Sequence, residues 1–163
     1  PKAKLRFSDA LPLGLESQCE ELLMTVTDEW DSHDLLDRIN AQLPRGLSVH
    51  HCAPAQAGTG KRTPEFISYR VQLYEKQFRF DELERFRQAE TAVFTRIGRK
   101  GKNRVMDLCQ VVDRIVLSSK NTLDLTLRRR DGAILRPADV IQAIFSLDAD
   151  QVAQARIVKT AVT

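Results

Sequence analysis

The sequence predicts an α+β fold in which helices cover one face of a largely antiparallel sheet. Three observations lead to this class: short segments of alternating polar and apolar residues, helical apolar stripes between them, and a globular composition. Hydrophobic residues make up 42% of the 163 residues and charged residues 29%, which excludes a disordered or collagen-like chain. Because helices alternate with paired strands, two ferredoxin-like halves are one way to build this fold.

The first part of the sequence predicts one helix between two strands. The helix begins after Asp31, whose carboxylate suits an N-cap, and ends before Pro44. The strands are predicted over residues 19–27 and 47–52. Residues 53–64, which are rich in Ala, Gly, Thr and Pro, indicate an exposed connection.

The rest of the sequence predicts further strands and two helices. The strands cover residues 66–74, 91–97, 122–127 and 155–162. One helix begins near Asp81 and another at Pro137, because a proline at the first helical position loses no hydrogen bond. Residues 105–117 are strongly apolar without a clean period, so we favour a strand, with a short helix as the alternative. Asp148 and Asp150 are interpreted as a turn and a helix cap.

Length and cysteine content bound the organisation of the chain. We predict a single α+β domain over residues 1–163, with 1–53 and 65–163 as candidate sub-units joined by the exposed connection. Such a chain needs no disulfides to hold a core. Its three scattered cysteines fit a reducing cytoplasm. No apolar run approaches the roughly 20 residues of a membrane span, so no membrane partner is expected.

Charge is divided unevenly along the sequence. Residues 1–37 carry nine acidic side chains against three basic ones, whereas residues 38–163 carry 22 basic side chains against 13 acidic ones. Clustered like charges repel, and a polyanion would relieve that repulsion and release its counterions. The clusters are interpreted as solvated loop ends, as charge runs usually are, with an anion-binding face as the alternative. The candidate nucleic-acid-binding residues form two clusters: Arg96, Arg99, Lys100, Lys102 and Arg104, then Arg128, Arg129 and Arg130.

The sequence contains no complete catalytic, metal or nucleotide motif. Residues 58–61 (GTGK) are similar to part of a P-loop, but Ala55 and Arg62 stand where a glycine and a Ser or Thr are required. His50 and Cys52 could share a zinc ion, but a second pair of ligands is missing. The three cysteines are too far apart to form the iron–sulfur triplet of a radical-SAM enzyme. We therefore predict no catalytic residue, metal or cofactor in this chain.

Five short motifs resemble those of a bacterial family. They are residues 11–17 (LPLGLES), 43–46 (LPRG), 104–108 (RVMDL), 135–137 (LRP) and 156–160 (RIVKT). In this order they resemble the radical-SAM-linked, or radical-SAM-associated, protein family. That family is a domain without an assigned activity, found beside radical-SAM proteins or fused to their C-terminus. Because its domain begins further upstream, we expect the family's N-terminal segment to be missing here.

Four charged residues of these motifs are further site candidates. Turns and helix ends explain the prolines and glycines of the motifs, but not the charges of Glu16, Asp107, Arg136 and Arg156. Each of the four is either a salt-bridge partner or part of a ligand surface.

The resemblance implies a radical-SAM protein as partner, and the basic clusters point to RNA. We therefore expect an accessory module that presents a substrate to that partner and binds RNA through a basic face. The alternative is a protein-interaction module whose acidic N-terminal segment meets a basic surface. An enzyme in its own right is a third hypothesis, for which the chain supplies no complete set of reactive groups.

Overall fold

The computed structural model describes residues 4–7, 11–55, 63–97 and 103–163. In chain order, the strands are β1 (Lys4–Phe7), β2 (Glu16–Ser17), β3 (Leu22–Thr25), β4 (Phe66–Gln72), β5 (Val93–Ile97), β6 (Asn103–Asp107), β7 (Val112–Ser119), β8 (Thr122–Arg128) and β9 (Arg156–Val162). The helices are α1 (Ser32–Gln42), α2 (Phe80–Gln88), α3 (Leu108–Val111), α4 (Pro137–Ile144) and α5 (Ala149–Ala153). Helices and antiparallel strands together confirm the α+β class.

The chain forms two compact units. The smaller unit comprises residues 1–10 and 20–63, and the larger one comprises residues 11–19 and 64–163. In the smaller unit β1 and β3 pair antiparallel, so that Phe7 stands opposite Leu22. The same unit contains α1.

The predicted N-cap of α1 is confirmed. The carboxylate of Asp31 accepts hydrogen bonds from the backbone N–H groups of His33 at 2.8 Å and Asp34 at 3.2 Å. These two groups have no partner within the helix, because the first turn has no preceding carbonyls. The cap therefore sets the point at which the helix begins.

The strand predicted over residues 47–52 is wrong, because a side chain takes the place of a neighbouring strand. The Asn40 Oδ1 atom accepts from the Val49 N–H at 2.7 Å, and the Asn40 Nδ2 atom donates to the Val49 carbonyl at 2.9 Å. One amide thus satisfies both backbone groups that a sheet would have paired. The segment follows α1 as a loop.

The larger unit is built on a five-stranded sheet in the order β2-β9-β4-β8-β7. The short β2 lies parallel to β9, and the other neighbours are antiparallel. Without the short β2 and α5, the main elements follow the order β4-α2-β7-β8-α4-β9, which is the β-α-β-β-α-β order of a ferredoxin-like fold. The two-stranded β5–β6 hairpin and α3 are inserted between α2 and β7.

Alternate residues of the central strands form the core of the larger unit. Leu123, Leu125 and Leu127 of β8 are at most 1% exposed, and they pack with residues of α2 and α4. Their neighbours in sequence, such as Asp124, are polar and lie on the opposite face. The period of two therefore separates a face covered by helices from a polar face, as the sequence predicts.

Residues 105–117 contain both of the structures proposed for them. β6 ends at Asp107, α3 makes one helical turn, and β7 follows directly. The division arises at Asp107, because its Oδ1 atom accepts from the Cys109 N–H at 3.0 Å and caps α3.

The cysteines, the membrane-span search and the exposed connection can be compared with the sequence predictions. Cys19, Cys52 and Cys109 are free thiols. Among the described residues, no helix has the length and apolar character needed to cross a membrane. Most of the predicted exposed connection, including the GTGK motif at 58–61, lies outside the described residues.

Candidate nucleic-acid interface

The first basic cluster lies on the β5–β6 hairpin. The strand register places Arg96 directly opposite Arg104. Arg99, Lys100 and Lys102 belong to the connection between the strands and lie outside the described residues.

The base of this hairpin is held by a single carboxylate. Asp107 Oδ1 accepts from the Ala92 N–H at 2.9 Å as well as from the Cys109 N–H. The hydrogen bond from Ala92 is the main reason that the pKa of Asp107 lies below its ordinary value, and the bond from Cys109 adds to it. Next to it, the half-buried Phe94 and Met106 pack against the core. The hairpin therefore extends from a fixed base.

Arg128, the first residue of the second cluster, is fixed by two contacts. Its Nη2 atom donates to Asp113 at 3.2 Å, and its guanidinium carbon lies 4.9 Å from the centre of the Phe66 ring. Both contacts orient the guanidinium plane, and the aromatic face attracts the cation. Its Nε atom is buried and has no hydrogen-bond partner.

The next two arginines donate to backbone carbonyls. Arg129 donates from Nε to Pro64 at 2.9 Å and from Nη1 to Gly132 at 3.3 Å. Arg130 donates from Nε to Gln110 at 3.3 Å. A guanidinium carries five N–H donors, and within the described ranges the Nη groups of Arg130 donate to no acceptor. Each guanidinium of the triple arginine thus donates to at least one protein group.

The second basic cluster borders a cavity. It has a volume of about 40 Å³ and is lined by Met106 of β6, Val111 of α3, Arg128, Arg130 and residues 133–135. Met106 belongs to β6, so the cavity lies between that strand and the triple arginine. The sequence predicts the triple arginine but not this cavity.

Two of the four motif residues form one ion pair. Arg156 donates to Glu16 from Nε at 2.9 Å and from Nη2 at 2.8 Å. The hydrogen bonds from Arg156 lower the pKa of Glu16, and the carboxylate in turn raises the pKa of the guanidinium. For these two residues the structure supports the salt-bridge interpretation.

Asp107 and Arg136 differ in what holds them. Asp107 serves as the cap described above. Arg136 is exposed at the N-cap of α4, where its side chain forms no hydrogen bond or ion pair with any described residue. It directly follows Leu135, which lines the cavity. Of the four residues, Arg136 is the one whose charge the described structure leaves available for a ligand.

The polar face of the sheet carries a charged pair that is not among the site residues predicted from the sequence. Arg70 Nε donates to Asp124 Oδ1 at 2.9 Å, and the Ser118 hydroxyl donates to the second oxygen of that carboxylate. Although partial burial alone would raise it, these hydrogen bonds lower the pKa of Asp124. Strand alternation places Arg70 and Asp124 on the polar face, and this signal could have identified the pair.

Reactive groups are sparse in the described residues. There, no group of three or more His, Cys, Asp or Glu side chains could hold a metal ion. The pKa of the Cys109 thiol is raised, chiefly by burial, which disfavours the reactive thiolate. The chemistry that the arrangement supports best is non-covalent binding of anions by arginine.

Comparisons with known proteins extend over most of the chain. The model of a family described as an uncharacterized protein conserved in bacteria (DUF2344) matches residues 1–137. The matched region includes both basic clusters. No curated protein and no solved structure matches the chain.

Proposed function

The chain belongs to this uncharacterized bacterial family, and on that premise we propose that it is an RNA-binding accessory module that presents its substrate to a radical-SAM protein. The basic residues of the larger unit support the RNA part of the proposal. The five family-like motifs, such as residues 11–17 and 156–160, support a radical-SAM protein as the partner. A cytoplasmic location belongs to the same proposal, and free thiols at all three cysteines are in keeping with it.

The observation that carries the proposal is the pair of held arginines, Arg128 and Arg130, at the cavity beside β6. Two stretches about 25 residues apart in sequence border one site, with Met106 on one side and Arg128 and Arg130 on the other. Arginines already held by Asp113 and Gln110 lose less side-chain freedom when they bind a phosphate. A polyanion with regularly spaced phosphates could contact both clusters at once.

We expect the RNA to be recognised through its phosphates and not through its bases. Sequence-tolerant stacking on proteins uses exposed aromatic rings. Phe66, the ring that contacts the second cluster, already faces the guanidinium of Arg128 at 4.9 Å. Affinity should therefore depend strongly on salt and weakly on sequence.

A salt titration tests the RNA part of the proposal. Binding of a fluorescently labelled single-stranded RNA is measured by anisotropy at several salt concentrations. Arg96→Gln combined with Arg104→Gln should reduce the log–log salt slope by about 1.4, or about 0.7 for each lost phosphate contact. The control combines Arg79→Gln with Arg85→Gln, two exposed arginines at α2, and should leave the slope unchanged. No affinity at low salt, or equal effects of both variants, would remove RNA from the proposal.

Co-purification tests the partner. The chain is co-expressed with a bacterial radical-SAM protein from the same genome, and the complex is isolated through a tag on that partner. We expect both proteins to elute together. If they separate at low salt, and also in the presence of the bound RNA, the partner part of the proposal is wrong.

A second candidate function, a protein-interaction module, is favoured by the smaller unit. None of its described residues is buried, and Leu5, Phe7 and Leu22 of the β1–β3 pair are between 45% and 59% exposed. A two-stranded pair is marginally stable by itself, so an apolar face of this kind benefits from a partner. Residues 20–37 carry seven acidic side chains and no Lys or Arg, which fits a partner with a basic surface.

Nuclease treatment distinguishes the two candidates. A complex that survives nuclease, combined with no RNA affinity of the chain alone, would favour the protein-interaction module. In that case Phe7→Ser should weaken the complex, whereas Arg96→Gln with Arg104→Gln should not. The opposite pattern would favour the RNA-binding module.

A further inference from the structure

The polar face of the five-stranded sheet, which lies opposite the helices, carries arginines on four strands. They are Arg156 of β9, Arg70 of β4, Arg128 of β8 and Arg114 of β7. Each directly precedes or follows a core residue of its own strand, so strand alternation places it on the polar face.

Three of these arginines are matched by carboxylates of the same sheet. The five strands, all of which are described, contain three acidic residues. Each accepts from one arginine: Asp124 from Arg70 at 2.9 Å, Asp113 from Arg128 at 3.2 Å, and Glu16 from Arg156 at 2.8 Å. Within these strands, no carboxylate is therefore left without a cation to offset its repulsion of an anion.

Arg114 is the fourth arginine, and no carboxylate holds it. Its side chain is exposed and donates to no acceptor in the part of the chain that the structure describes. Although burial raises it, the pKa of Asp124 is lowered overall by hydrogen bonds from Arg70 and Ser118 and by the nearby charge of Arg114. Both oxygens of that carboxylate already accept from Arg70 and Ser118. The five N–H donors of Arg114 thus face solvent.

Arg114 continues the triple arginine onto the sheet. It stands opposite Thr126, and Arg128 lies two positions further along β8. Diagonal neighbours of this kind on an antiparallel pair lie about 7–8 Å apart. The Thr126 hydroxyl, which is paired with the Ser68 hydroxyl at 3.0 Å, adds a polar group on the same face. The second basic cluster therefore extends beyond the three arginines that are adjacent in sequence.

We propose that the RNA backbone runs from the triple arginine onto the polar face of the sheet, where Arg114 binds one of its phosphates. This inference rests on the proposed function. Arg128 belongs both to the candidate interface and to the polar face, so one chain can follow the two without a break. Each phosphate contact would release a counterion, and this is the main source of affinity for a polyanion.

The composition of the polar face favours a polyanion over a folded protein as its ligand. The centre of a protein–protein interface is usually formed by buried apolar and aromatic anchors. Among the described residues, none of the large exposed apolar side chains belongs to the strands of this sheet. The face instead offers guanidinium groups and hydroxyls, which are the groups that contact phosphates.

A salt titration of Arg114 variants tests the path. Binding of a labelled single-stranded RNA is measured by anisotropy. Arg114→Gln should reduce the log–log salt slope by about 0.7, so that a fourfold rise in salt weakens binding about 2.6-fold less than in the wild type. Arg114→Lys keeps the charge and should keep the slope. Arg85→Gln, at an exposed arginine of α2 on the other side of the sheet, is the matched control and should leave the slope unchanged.

The possible negative results can be distinguished. If the wild type has no RNA affinity at low salt, the proposed function fails, and the path fails with it. If the wild type binds and Arg130→Gln lowers the slope but Arg114→Gln does not, the path is refuted and the proposed function stands. An equal reduction in Arg85→Gln would also refute the path. If Arg114→Gln weakens the complex with the co-purified protein and leaves RNA binding intact, the polar face binds protein and the proposal is overturned.

Discussion

Arg156 and Glu16 form a two-pronged ion pair between residues 140 positions apart in the sequence. The pair lies where the two-residue strand β2 joins β9, with Glu16 opposite Val158 and Ser17 opposite Lys159. Two backbone positions alone give a strand of this length little cooperativity, so side-chain contacts matter more for it than for the central strands. The motif that contains Glu16 and the motif that contains Arg156 are therefore in contact at one edge of the sheet.

Glu16→Gln should loosen this edge without unfolding the larger unit. The Gln18 N–H donates to the Lys159 carbonyl at 2.9 Å, immediately after β2. Loss of the ion pair should increase hydrogen exchange at Gln18 several-fold, because local opening of β2 becomes easier. Amide hydrogen exchange measures this. Arg79→Gln, which breaks an exposed ion pair at α2, is the control. Unchanged protection at Gln18 would show that the pair does not hold β2.

The same ion pair should give a pH-dependent difference between the wild type and Glu16→Gln. The pKa of Glu16 is lowered in the folded protein, chiefly by the hydrogen bonds from Arg156. The unfolded chain therefore takes up the proton first, and the stabilisation is complete above the ordinary glutamate value of 4.5. It is lost as the pH falls below 4.5. Urea denaturation of both proteins from pH 7 to pH 3 should show a difference that shrinks only in this acidic window.

Asn40→Ala should release the segment that follows α1. The change removes both hydrogen bonds to Val49 and leaves that backbone to water. We expect a loss of about 1–3 kcal/mol in the stability of the smaller unit, in keeping with two partly buried hydrogen bonds. Chemical denaturation followed by circular dichroism measures it. Gln42→Ala, an exposed change on the same helix, should have less than about 0.5 kcal/mol of effect. Equal effects of the two changes would contradict the role of Asn40.

Leu125→Ala should test the core of the larger unit. Leu125 is 1% exposed in the central strand β8, and its neighbours cannot all move into the space it leaves. The expected loss is about 2–5 kcal/mol in the free energy of unfolding. Leu13→Ala, at a fully exposed leucine, should change it by less than about 0.5 kcal/mol. A small loss for Leu125→Ala would mean that the sheet is not covered by α2 and α4 as described.

Local patterns explain which elements could be predicted. β4 and β8 alternate because one face is covered by helices, so their side chains report the fold directly. The failed strand at residues 47–52 has a similar apolar pattern, but its backbone is satisfied by Asn40 from a neighbouring helix. β2 has only two residues and depends on strand partners 142 positions later, so no local period could reveal it.

The candidate site, like the fold, could be predicted from the sequence only in part. Charge is a property of sequence, so both basic clusters could be identified from it. The cavity requires Met106, Arg130 and Leu135 to meet, and these residues belong to separate elements joined by tertiary contacts. The sequence also could not show that Arg136 and Arg156 have different roles, because both are arginines of the motifs. Only the fold pairs Arg156 with the carboxylate of Glu16.

The carboxylate of Asp107 has a consequence for two elements at once. One of its oxygens accepts from Ala92, just before β5, and from Cys109 in α3. A change at this residue therefore acts on the hairpin and on the helical turn together, and we expect the two to open as one unit.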